Sequence, residues 1–127
     1  MVDAQSNGVL IAEDEDEVRN LLALVLELEQ FTVYKASDGQ EALDLITALD
    51  DKIDLLITDL GLPKLGGLEL IEKVRALKPS IKIIGASGFG HANVREEVLK
   101  AGADEFRPKP YVTEELIQTI KKLLNQT

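Results

Sequence analysis

The sequence predicts a three-layer α/β sandwich, in which helices cover both faces of one parallel sheet. Short apolar runs suited to buried strands recur five times, at residues 9–12, 32–36, 53–58, 81–86 and 104–107. Each is followed by a stretch with helical spacing, so the order is strand then helix throughout. Short connections in that order give parallel strands joined by right-handed crossovers, and hence an open sheet buried on both sides. A length of 127 residues suits one such domain, read here as residues 8–127 after a loose segment at 1–7.

The first and last helices carry the clearest signal. Val18, Leu21, Leu22, Val25 and Leu26, and then Leu116, Ile117, Ile120, Leu123 and Leu124, repeat at three and four residues and so build one apolar face each. Ala42, Leu45, Ile46 and Leu49 do the same for the second helix, and Ile71, Val74 and Leu77 for the third. Val94, Val98 and Ala101 give the fourth its shorter stripe.

Composition excludes several functions. With 45% hydrophobic and 29% charged residues the chain can offset the entropy of folding. The absence of cysteine removes disulfides and thiolate metal sites, and the cytoplasm is the expected compartment. Residues 21–26 form the longest wholly apolar run, far short of the roughly 20 residues of a membrane span. A net charge of -9 repels nucleic-acid phosphates, so no direct nucleic-acid partner is expected.

In open parallel sheets the functional crevice lies beyond the carboxyl ends of the strands. Those ends carry Glu13, Asp14 and Glu15, then Asp59, Ser87 and Lys109. Converging carboxylates repel one another, and a hard divalent cation relieves that repulsion by taking oxygen ligands, which points to Mg²⁺. Mg²⁺ held by carboxylates commonly meets a phosphoryl group. A carboxylate can itself be the nucleophile, forming an aspartyl phosphate while a metal and a lysine neutralise charge; Asp59 and Lys109 suit those roles.

Four segments then resemble the receiver domains of response regulators in two-component signalling, in that family's order and over nearly the whole chain. They are Val9 through Glu13-Asp14-Glu15, Asp54 through Asp59-Leu60-Gly61-Leu62-Pro63, Ala86-Ser87-Gly88, and Ala101 through Phe106-Arg107-Pro108-Lys109-Pro110. The resemblance implies a flavodoxin-like sandwich of five strands in order 2-1-3-4-5 with five helices. It implies that Asp59 accepts a phosphoryl group from a histidine kinase or phosphotransfer domain. Asp14, Asp59 and the Gly61 carbonyl would ligate Mg²⁺, with Glu13 holding it directly or through water, and Lys109 and Ser87 would contact phosphoryl oxygens. It further implies a cis Lys109-Pro110 bond and a switch linking Ser87 to Phe106. Partners or a second copy would read that switch on the fourth helix, fifth strand and fifth helix. Such a domain catalyses only its own phosphorylation and dephosphorylation. Residues 58–63 with 86–89 are similar to receivers attached to hybrid sensor histidine kinases.

Some residues depart from the family's usual pattern. Glu13 replaces the more frequent aspartate, Phe106 lacks the hydroxyl of the common tyrosine, and Pro108 removes a backbone donor beside Lys109. Gly61 and Phe89 flank the path of a hydrolytic water in this family.

Taken singly, each residue has an ordinary explanation. The acids at 13–17 complement a helix dipole, Asp59 precedes a turn, Ser87 and His91 are loop residues, and Phe106 is core. Their joint order is what points to a site. Rival chemistries lack parts: a haloacid-dehalogenase phosphatase needs an aspartate where Gly61 stands, and an FMN domain needs aromatic loops that 4% aromatics do not supply. The glycine-rich stretches at 61–68 and 88–93 complete neither a P-loop nor a dinucleotide fingerprint. A degenerate, non-phosphorylated receiver usually lacks the acceptor or the lysine, and both are present.

Overall fold

A computed structural model of the chain describes residues 7–88 and 93–125. The elements run β1 (Gly8–Ala12), α1 (Asp16–Leu28), β2 (Thr32–Ala36), α2 (Gly39–Leu49), a 3-10 turn (Asp50–Lys52), β3 (Leu55–Asp59), α3 (Gly67–Leu77), β4 (Lys82–Ser87), α4 (Val94–Ala101), β5 (Glu105–Pro108) and α5 (Thr113–Leu123). All strand pairs are parallel and the order is β2-β1-β3-β4-β5, the flavodoxin-like arrangement expected.

Strand alternation divides the apolar residues between two layers. Val9, Ile11, Leu55, Ile57 and Ile84 face Leu22, Ala23 and Leu26 of α1 and Leu116 and Ile120 of α5. Leu10, Ala12, Leu56 and Ile83 face Ala42 and Ile46 of α2, Leu70, Ile71 and Val74 of α3, and Val94 and Val98 of α4. Gly85 of β4 lets α4 approach closely: a Cβ there would stand 2.5 Å from Val98 Cγ1.

Three expectations need correction. Leu21 and Leu77, assigned above to buried faces, are 63% and 57% exposed. On α1 the sheet takes Leu22, Ala23 and Leu26, which leaves Leu21, Leu24 and Leu28 on the outer side. The third strand also starts later than expected: Ile53 is buried but precedes β3, and Asp54 turns back to accept the Gly8 N–H at 2.9 Å. Strands β3, β4 and β5 each run one residue further than expected, so Asp59 and Ser87 belong to strands rather than loops.

Elsewhere, side chains cap the start of α2. Asp38 Oδ1 accepts the Glu41 N–H at 2.7 Å, and Glu41 Oε1 accepts the Ser37 N–H at 2.7 Å, the reciprocal arrangement of a capping box displaced by one residue. At the amino edge of the sheet Arg75 of α3 binds four oxygens: the carbonyls of Gly102 (2.9 Å), Pro79 (2.8 Å) and Ile81 (2.8 Å), and Asp104 Oδ2 (2.7 Å).

Candidate functional site

Because neighbouring strands are parallel, their carboxyl ends meet on one edge of the sheet. Glu13 and Asp14 follow β1, Asp59 ends β3, Ser87 ends β4 and Lys109 follows β5. The register sets Asp59 beside Ala86, and the Lys109 N–H donates to the Ser87 carbonyl at 3.0 Å. The peptide bond from Lys109 to Pro110 is cis, as expected.

Glu13, Asp14 and Asp59 each offer a carboxylate oxygen, and those atoms lie within 4.8 Å of one another. Lys109 Nζ reaches Glu13 Oε1 at 2.6 Å and Asp59 Oδ1 at 3.4 Å. Asp59 Oδ2 accepts the Gly61 N–H at 3.2 Å, so backbone and lysine orient the two oxygens of this carboxylate separately. Glu13 is 2% exposed and fixed at each polar group: its N–H donates to the Ala36 carbonyl (3.0 Å), its carbonyl accepts from Arg19 Nη1 (2.8 Å), and Oε2 accepts the Glu15 N–H (3.1 Å).

Burial works against the charge of Lys109. Its hydrogen bond to Glu13 and the charges of Asp59 and Glu13 outweigh that burial, and its pKa stands above the ordinary 10.5. Burial likewise pushes the Tyr111 phenol well above its ordinary value, with the charges of Glu13 and Asp59 adding to the effect.

The donor set fits a hard divalent cation. Three carboxylates face a single ammonium, so two formal negative charges remain, and all the ligand atoms are oxygens. Asp14 is exposed and open to solvent on its outer side.

A cleft of about 1160 Å³ runs from these acids along α1. Asp14, Asp59, Gly61, Ser87 and Lys109 line one end, and Val18, Leu21, Leu22 and Val25 line the other. Tyr111, which also lines it, and Arg19, which fixes Glu13, were not singled out from the sequence. An aromatic two residues after the lysine was a legible signal for Tyr111. Arg19 gave none, since only the turn between β1 and α1 brings it under Glu13. Phe106 is half-buried against the layer of α2, α3 and α4. Phe89 and His91 lie outside the described residues.

The family of response regulator receiver domains matches residues 9–121. This chain belongs to that family. A receiver domain is the part of a two-component response regulator that is phosphorylated on an aspartate. SrrA of Staphylococcus aureus, a transcriptional regulatory protein, is 37% identical over 122 residues, covering 96% of this chain and 49% of SrrA. The receiver thus spans about half the length of the curated relatives it matches. Among solved structures it is similar to a CheY-like receiver domain protein of Methanospirillum hungatei (30% identity, TM-score 0.89, 95% of each chain). A putative response regulator of Chloroflexus aurantiacus is similar too (31% identity, TM-score 0.88, 96% of this chain and 100% of that one). These relatives are response regulators, and they lend the hybrid-kinase context no support. No helix among the described residues is long and apolar enough to cross a membrane.

Proposed function

We propose that Asp59 is the phosphoryl acceptor of this receiver, with a phosphohistidine of a histidine kinase or phosphotransfer domain as donor, in the cytoplasm. One observation carries the reading: Asp59 ends the central strand in a cleft with two further carboxylates and has the Lys109 ammonium 3.4 Å from Oδ1. A carboxylate oxygen of Asp59 attacks phosphorus, the N–P bond of the donor breaks, and the imidazole leaves with the bonding electrons. The product is an acyl phosphate. Asp14, Asp59 and the Gly61 carbonyl would hold Mg²⁺, with Glu13 beside it; the bound ion would neutralise charge on the transferring group. Lys109 and Ser87 contact the phosphoryl oxygens. The apolar wall of the cleft on α1 seats the donor, whose phosphoryl group must enter from that side.

Phosphorylation draws Ser87 toward the acceptor and lets Phe106 turn inward, which changes the face of α4, β5 and α5 read by a partner or a second copy. Phe106→Ala then leaves phosphorylation intact and weakens partner or dimer affinity; an affinity unchanged from wild type in both phosphorylation states rejects the switch. The receiver itself does not bind nucleic acid, so any DNA binding of a longer chain like SrrA belongs to its remainder.

Intact-mass spectrometry after incubation with Mg²⁺ and acetyl phosphate tests the acceptor. The expected result is one added phosphoryl group, absent in Asp59→Asn and absent without Mg²⁺. No adduct under quenching that preserves acyl phosphates would favour a binding module that works unphosphorylated.

A further inference from the structure

Lys109 does not divide itself evenly between its two carboxylate neighbours. Its 2.6 Å approach to Glu13 Oε1 is a short charge-assisted hydrogen bond, whereas 3.4 Å to Asp59 Oδ1 is near the outer limit of one. In the resting receiver the lysine is therefore held mainly by Glu13 and only loosely by Asp59.

Both Glu13 oxygens already carry a partner. Oε1 takes the ammonium, Oε2 takes the Glu15 N–H, and at 2% exposure solvent cannot replace either partner readily. A cation that ligated Oε1 directly would stand beside the ammonium on the same buried carboxylate, and the repulsion between the two positive charges sets them in competition for it. The length of the side chain decides the pairing. An aspartate at this position would be one C–C bond shorter, about 1.5 Å, and would leave the lysine beyond hydrogen-bond range with the backbone unmoved.

We infer that Lys109 and the divalent cation compete for the Glu13 carboxylate, which makes Glu13 a positioning residue that restrains the lysine until phosphoryl oxygens arrive. The inference rests on the receiver chemistry proposed for Asp59 and adds a coupling to it. While Lys109 occupies Glu13, the cation is served by Asp14 and Asp59 and binds weakly. Once phosphoryl oxygens draw the ammonium away, the Glu13 carboxylate becomes available to the ion. Cation and phosphoryl group then strengthen each other's binding through the lysine, by the reciprocity that any such linkage obeys.

Calorimetric titration with Mg²⁺ alone, in the absence of any phosphodonor, tests this on four proteins: wild type, Lys109→Met, Glu13→Asp and the double variant. Lys109→Met is expected to bind Mg²⁺ at least tenfold more tightly than wild type. In the Glu13→Asp background the same replacement is expected to gain less than threefold, because the carboxylate is already released. Equal gains in both backgrounds overturn the inference, since the lysine would then act only by general repulsion. A second readout covers the case in which Lys109→Met does not fold. In the wild type, exchange of the Lys109 ammonium protons followed by NMR should accelerate on saturation with Mg²⁺, and unchanged exchange overturns the competition. If none of the proteins binds Mg²⁺, the inference falls with the ion's role, while the mass of the Asp59 adduct reports separately on the acceptor.

Discussion

Arg75→Met removes a guanidinium while keeping most of its aliphatic stem, which packs over Gly102: a Cβ at Gly102 would stand 3.1 Å from Arg75 Cβ and Cγ. Of its four hydrogen bonds, those to the Pro79 carbonyl and to Asp104 are exposed, and a surface ion pair of that kind is worth about 0–1 kcal/mol. The bonds to the carbonyls of Gly102 and Ile81 are partly buried, and at about 1.5 kcal/mol each for a charged donor they dominate. The expected loss is about 3 kcal/mol. With a urea slope of about 2 kcal/mol/M, the unfolding midpoint should fall by about 1.5 M, with the slope unchanged. Circular dichroism during urea titration measures it. Arg75 stands at the edge of the sheet opposite Asp59, so the mass adduct with acetyl phosphate should persist. A fall below about 0.5 M would show that solvent replaces all four bonds and that Arg75 is an ordinary surface residue.

Asp38→Ala is expected to lower the urea midpoint at pH 7 by removing the cap of α2. The N–H of Glu41, and secondarily Lys64, hold the Asp38 pKa below its ordinary 3.8, although desolvation opposes them. Its stabilisation is therefore present above the unfolded value and lost as pH falls through the native one. The difference between mutant and wild type should shrink as pH falls through the lowered native value, and a gap unchanged by acidification rejects the charged cap. Gly85→Ala places a methyl group 2.5 Å from Val98 Cγ1 and should cost about 1–3 kcal/mol by overpacking. Val98→Ala in the same chain should recover part of that loss, and strict additivity of the two in urea titrations argues against the contact. Leu21→Gln, at a 63% exposed position, should change stability by no more than about 0.5 kcal/mol. The same variant should slow transfer from a protein donor but not from acetyl phosphate, and equal rates from both donors remove α1 from the docking surface.

The fold was legible because strand and helix periods alternate cleanly. The site was legible because parallel strands bring residues far apart in sequence, such as Glu13 and Lys109, to one edge. The orientation of α1 was less so. Apolar residues at 21, 22, 24, 25, 26 and 28 nearly encircle the helix, and spacing alone cannot choose which of them meets the sheet. The preference of Lys109 for Glu13 over Asp59 depends on side-chain length in three dimensions, which motif order does not record. Arg75 was equally silent in sequence, since Gly102 and Asp104 lie 27 and 29 residues away.

The alternation in β3 limits how this molecule can change. Leu55 and Ile57 serve one core, Leu56 serves the other, and Asp59 sits at the tip of the same five-residue strand. Adding or deleting one residue within it would turn both sets of side chains toward the wrong layer and rotate Asp59 out of its cleft. Chemistry at the tip is thus open to exchange of side chains and closed to changes of length. New lengths of chain can be accommodated only beyond the strand, where they would reshape the mouth of the cleft without disturbing the floor.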